Sequence, residues 1–237
     1  MSKEYSTQES IVAFIDILGS SKAIMEDAQK SLITVHNAYT ESMALFKNLF
    51  GDRLSAPNVK IFSDNIVIAV PRKGESGHGA FLAVAMMSAI IQVQFLKHEL
   101  LTRGGIASGS YFADEMMVWG TALVKAHTLE NTISIYPRIV IDPELVGELK
   151  LADPNTPFVR IKSWIEQDED KLFMVNYLNE YLANAEIFIL GLMQIADRKI
   201  IEYHNNLKAC QKWLWFINYL NKKLIVDNRT NTNKAEE

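Results

Sequence analysis

The stretch "SIVAFIDILGSSKAI", residues 10–24, decides how the rest of the chain is read. From Ile11 to Ile17 every residue is apolar except Asp16, so the segment reads as a strand buried on both faces. Such a strand does not carry a charge without compensation, because an unpaired buried carboxylate costs several kcal/mol even after relaxation. The compensating group is a basic partner, a helix N-terminus or a metal ion. The turn Gly19-Ser20-Ser21 comes next, with residues suited to cap a helix or to offer backbone amides.

Working outward, helical pattern runs from Lys22 to Phe50, in one piece or two, and stops at Gly51. "VKIFSDNIVIAV", residues 59–70, places two β-rich runs around Ser63-Asp64-Asn65, which is hairpin punctuation. Pro71 to Gly79 reads as a loop, and Ala80 to Leu101 has helical length. "RGGIASGSYFA", residues 103–113, is a strand entered through paired glycines, with Glu115 to Trp119 as its hairpin partner. A helix from Gly120 to Asn131 and a strand from Arg138 to Ile141 complete the pattern. This order predicts an α/β fold of the α+β sandwich kind, with helices on one face of a sheet. Residues 1–153 form the expected core. Residues 154–226 follow as a peripheral hairpin around an acidic turn and aromatic-rich helices, and the polar tail 227–237 is expected to lack structure.

A net charge of −4 argues against broad nucleic-acid or anionic-membrane binding, which needs a basic face. The single cysteine, Cys210, cannot form an intrachain disulfide, which suits a reducing compartment. The polar start, Ser2 to Ser10, does not resemble a signal peptide. Phe81 to Leu96 is interrupted by Gln92 and Gln94 and is shorter than a membrane span. The expectation is a soluble cytoplasmic protein without nucleic-acid partners or membrane insertion.

Asp16 and Asp64 share a setting: each ends or interrupts an apolar β run and is followed by turn residues. Taken singly, each reads as a cap or turn residue, and Gly19 as a turn glycine. Taken together, they emerge at one sheet edge if the first strand lies beside the hairpin. Two anions held close repel, and a divalent ion relieves that repulsion. Hard oxygen donors select Mg²⁺ or Mn²⁺, with the remaining positions filled by water and phosphates. The amides of Leu18, Gly19, Ser20 and Ser21, at the start of a helix, would then face a triphosphate.

These residues resemble the motifs of class III nucleotidyl cyclases. "FIDILGSS" is similar to their first metal motif, "VKIFSDNIVIAV" to their second metal strand, and "LTRGGIASGSYF" to their Arg-any-Gly-Ile strand. "VWGTALVKAHTLE" resembles the glycine-entered helix that carries their transition-state residues. The doubled glycine, "FSDN" and "GTALVKAHTLE" look most like the stand-alone bacterial pyrimidine cyclases of antiphage defence. The resemblance implies a ferredoxin-like core of helices on a mostly antiparallel sheet, with a C-terminal helical extension. It also implies a head-to-tail homodimer with nucleotide sites at the interface. Two Mn²⁺ or Mg²⁺ ions would be held by Asp16, the Ile17 carbonyl and Asp64, with Phe14 lining the nucleotide pocket. Arg103 is a cationic candidate for catalysis, and Lys60 stands where purine cyclases place a base-selecting residue. The implied activity is conversion of UTP to 3′,5′-cyclic UMP and pyrophosphate, a second messenger in antiviral defence. Cytidylate and purine cyclases are alternatives.

The match has departures. Aligning on Gly120 puts Val124 and Thr128 where purine cyclases carry Asn and Arg, with Lys125 and His127 one step off. That substitution leaves open a degenerate, nucleotide-sensing domain. Phe14, Phe62, Tyr39 and Met117 offer bulk that would close a pocket on a single-ring base, or each is simply core.

Overall fold

In the computed structural model, which describes residues 5–51, 57–72, 77–153, 159–179, 182 and 186–235, Asp16 lies near the end of the central strand. That strand, β1 (Gln8–Ile17), runs antiparallel between β3 (Asn65–Pro71) and β4 (Thr102–Ala113). β2 (Asn58–Phe62) pairs with β3 through the two-residue turn Ser63-Asp64, with Ser63 in the left-handed region at φ 55°. On the other side β4 pairs in parallel with β6 (Ile139–Ile141), followed by β8 (Phe173–Val175) and β7 (Ile165–Gln167). The order is β2-β3-β1-β4-β6-β8-β7, with β5 (Val118–Trp119) folded back on the end of β4. The sheet is mostly antiparallel, and helices pack on it, as the α+β reading requires.

The helical run after the first strand is two helices. α1 (Ser20–Glu26) ends at Asp27, whose side chain accepts from the Lys30 amide and so caps α2 (Ala28–Phe50). α2 closes at Gly51, with φ at 52°. α3 (His78–Lys97) packs on β1, β3 and β4, and α2 packs on α3. α3 is long and apolar enough to cross a membrane by length and composition alone, longer than the run read from residues 81–96. It is buried, with both of its interrupting residues, Gln92 and Gln94, inside. That explains why its apolar residues show no single face.

Helices occupy both faces of the sheet, not one. α4 (Thr121–Thr132) seals the face carrying Val12, Phe14, Val67, Ala69, Ala107 and Tyr111 through Ala122, Ala126 and Leu129. α3 contributes nothing to that cluster and covers the opposite face. The paired glycines make the second layer possible. A Cβ on Gly105 would stand 2.4 Å from the Ala126 carbonyl oxygen and 2.5 Å from Leu129 Cβ, so α4 lies directly on the β4 backbone.

The acidic hairpin is the sheet's far edge, not a peripheral addition. Arg138, beside β6, pairs with Asp168 and Asp170 in the turn between β7 and β8 and holds that edge in place. Short helices α5 (Pro143–Glu148) and α6 (Val159–Lys162) lie between β6 and β7 in sequence. The compact units divide at Met1–Tyr177 and Leu178–Glu237. The second unit holds α7 (Glu186–Glu202) and α8 (Leu207–Ala235) packed on each other, and α8 runs past Asp227 into the polar tail. The middle of the loop at Pro71 to Gly79 (73–76) and the last two tail residues lie outside the described residues.

Candidate functional site

Antiparallel register puts directly opposed residues on one face of a sheet, so two rows of candidates can be read across the strands. The first row is Phe62, Asn65, Asp16 and Arg103; the second is Lys60, Val67, Phe14 and Gly105. Phe14, Asp16, Lys60, Phe62 and Arg103 therefore share the face that α4 covers. The charge of Asp16 has a basic partner built into the strand opposite: Arg103 Nε donates to Asp16 Oδ2 at 3.1 Å. Among the described residues nothing else engages this carboxylate, and Oδ1 is left over.

Asp64 arrives by the turn. Its carbonyl oxygen accepts from the Ile17 amide at 3.0 Å, which ties it to the residue after Asp16. Its carboxylate accepts from Ser20 Oγ at 2.6 Å and from Asn65 Nδ2 at 3.0 Å. Ser20 is the first residue of α1 and is buried, so the glycine turn acts on Asp64 through a side chain. Gly19, at φ 81°, makes the sharp exit from β1 that aims Ser20. The Leu18 amide, expected to face an anion, donates to the Leu101 carbonyl at 2.8 Å and is not available. Gly19 and Ser21 are exposed.

A third carboxylate joins from α4. Glu130 is 4% exposed, and its Oε1 lies 2.6 Å from the second terminal nitrogen of Arg103, without hydrogen-bond alignment. The first terminal nitrogen of Arg103 donates to the Ser134 carbonyl at 3.4 Å. Burial raises the Glu130 pKa above the usual carboxylate value, Arg103 opposes that shift, and Asp16 adds to it. One guanidinium thus lies between two carboxylates, Asp16 and Glu130. The sequence reading missed Glu130, although Ala122, Ala126 and Glu130 recur at helical spacing on the buried side of α4.

Other candidates separate from this cluster. Lys125 reaches away to Glu144 at 2.8 Å on the surface, and that contact raises its pKa. Val124 and Thr128 are exposed, the Thr128 hydroxyl donating to the Val124 carbonyl. His127 packs edge-on against Phe14 with centroids 4.9 Å apart, and Phe62 lies 6.4 Å from Phe14 on its other side. Of the four bulky residues expected around a base, only Phe14 and Phe62 come together. Tyr39 sits on α2, in the layer across the sheet, and Met117 lines a groove with Tyr5, Phe112 and Trp119. That groove is at the far end of β4 from Arg103, nine residues and roughly 30 Å away.

Among the described residues no three His, Cys, Asp or Glu side chains gather in a metal-holding group. The donors available to a cation are Asp16, Asp64 and adjacent backbone carbonyls. Such a hard-oxygen set fits Mg²⁺ or Mn²⁺, which take one or two carboxylates and leave the other positions to water and phosphates.

No protein-family model and no curated protein matches the chain by sequence. Solved structures with a similar fold include a monomeric guanylyl cyclase domain of the RhoGC fusion protein from the aquatic fungus Blastocladiella emersonii. It is 14% identical, with 73% of this chain and 98% of that chain covered at a TM-score of 0.48. An adenylate/guanylate cyclase/hydrolase from Silicibacter pomeroyi is 13% identical over 72% of this chain and 96% of that one, at 0.43. A bacterial light-regulated adenylyl cyclase is 16% identical over 82% and 59%, at 0.41.

Proposed function

We propose that the protein is a nucleotidyl cyclase that closes a pyrimidine ribonucleoside triphosphate, UTP in preference to CTP, into its 3′,5′-cyclic monophosphate. The observation that carries this reading is the register: Asp16 at the end of β1 and Asp64 in the adjoining turn come to the same end of the sheet, where the Ile17 amide donates to the Asp64 carbonyl. That is the arrangement the two motifs require if both carboxylates serve one cation site. Four motifs in the expected chain order support it, and the form of those motifs supports the pyrimidine preference and a role in antiviral signalling.

In the reaction the 3′-oxygen bonds to the α-phosphorus, the bond from that phosphorus to the bridging oxygen breaks, and pyrophosphate leaves. The hydroxyl proton passes to solvent. Asp16 and Asp64 would hold Mg²⁺ or Mn²⁺, which when bound lowers the pKa of the 3′-hydroxyl and offsets phosphate charge. Ser20 and Asn65 keep the Asp64 carboxylate in one orientation. Phe62, exposed and set against the buried Phe14, offers an apolar surface for the base, and Arg103 a permanent positive charge near the phosphates. Little covalent chemistry falls to side chains, so orientation and charge carry the rate. Sites shared between two copies of the chain in a homodimer complete the proposal.

A second reading has an observation behind it. Lys125 is engaged with Glu144, and Val124 and Thr128 cannot stabilise a pentavalent phosphorus, which favours a domain that binds nucleotide without turnover. Incubation with ATP, GTP, CTP and UTP at equal concentration with Mn²⁺, followed by mass spectrometry, separates these. Cyclic UMP as the main product is expected. Cyclic AMP or cyclic GMP as the main product overturns the pyrimidine preference, and bound nucleotide without product establishes the sensor.

A further inference from the structure

Arg103 is held from three sides, and two of its partners compete. Its Nε donates to Asp16 Oδ2 at 3.1 Å, one terminal nitrogen reaches the Ser134 carbonyl at 3.4 Å, and the other lies 2.6 Å from Glu130 Oε1. The Glu130 contact is the shortest, yet it lacks hydrogen-bond alignment, so the planar fork is shared between two carboxylates. A guanidinium cannot be neutralised by losing a proton at any physiological pH. A divalent cation approaching Asp16 therefore meets a resident positive charge that can only be moved. The structure offers one direction for that movement, toward the buried Glu130 and the Ser134 carbonyl, where alignment would improve.

We propose that Glu130 is a positioning residue that draws the Arg103 guanidinium off Asp16 and so opens the Asp16 carboxylate to a divalent cation. The inference rests on Asp16 being a cation ligand. Without Glu130 the guanidinium has Asp16 as its only carboxylate partner among the described residues and turns fully onto it. Glu130 lies in a helix otherwise concerned with packing, and its burial without aligned partners costs stability, which a purely structural position would not need.

The test is Mn²⁺ binding to the full chain without nucleotide, read from the electron paramagnetic resonance signal of the free ion. Glu130→Gln is expected to weaken Mn²⁺ binding about tenfold, the scale of one charge-assisted hydrogen bond. The double variant Arg103→Met with Glu130→Gln removes the competing cation and its holder together, leaves the Asp16 carboxylate free to take the ion, and is expected to bind at least as tightly as wild type. Binding by Glu130→Gln equal to wild type overturns the proposal. So does a double variant that binds weakly, because Glu130 would then act through its own charge and not through Arg103; this variant decides the matter even if the single one unfolds. Asp16→Asn is the separate control: wild-type binding in that variant means Asp16 is no ligand, which removes the cation reading itself.

Discussion

Ser20 is a small buried residue at the start of a helix, its hydroxyl donating to the carboxylate of Asp64 at 2.6 Å. If Asp64 serves a cation, Ser20→Ala loosens that carboxylate without removing it, and turnover should fall about tenfold, in line with a hydrogen bond to a charged group. Asp64→Asn and Asp16→Asn should each abolish turnover at saturating Mn²⁺. Both should keep the fold, since Arg103 retains Glu130 when Asp16 is neutralised; a stability loss of about 1 kcal/mol is expected for Asp16→Asn. Product formation and thermal melts of the three variants check this, and undiminished turnover in either Asp variant refutes the cation assignment. Asp16 and Asp64 were legible because a carboxylate in an apolar run is conspicuous. Arg103 was legible only as a cation of unknown duty, and Glu130 not at all. A glutamate in "HTLENT" looks solvated until a partner from another strand is known to need it, and that need arises only once β1 and β4 pair.

At the scale of elements, α4 and β4 depend on each other through absent side chains. Gly105→Ala would force a methyl group into the Ala126 carbonyl oxygen and Leu129, backbone and side chain that cannot both retreat. We expect it to lower stability by about 1–3 kcal/mol or more and to displace the end of α4 that carries Glu130. A denaturant titration checks the first, and a Mn²⁺ affinity lower than wild type the second. Gly147→Ala is the control, because its Cβ would meet nothing within 4 Å. Strand and helix positions here were largely readable, since periodicity and glycine or aspartate punctuation are local. Which face each helix takes was not. The paired glycines at Gly104 and Gly105 announced a close approach, but a strand alone does not say what approaches it. The hairpin at the acidic turn was found but misplaced, because its membership in the sheet rests on the single pair of Val140 with Met174 and on Arg138 meeting the turn.

At the scale of the whole molecule, the exposed surface of α4 carries the expectation of a dimer. Val124 is 65% exposed, an apolar residue in the middle of a helix whose opposite side is sealed against the sheet. Light scattering should give a mass near twice 26.8 kDa for the wild-type chain. Val124→Glu should shift it toward the single-chain mass and reduce turnover with it; a dimer that survives the change places the interface elsewhere. The central pairing has a further consequence for how the chain is made. β1 leaves the ribosome first, but its partner at Arg103 follows only after α3, whose sheet-facing side stays incompletely covered until β4 joins β1 and β3. For that interval the nascent chain presents a helix as apolar as a membrane span, with α2, β1 and β3 already made but β4 still missing from the sheet it packs on. Synthesis halted between residues 97 and 113 should therefore yield a product that chaperones hold or that aggregates more than one released a few residues after Ala113, in which β4 can pair with β1 beneath the same helix.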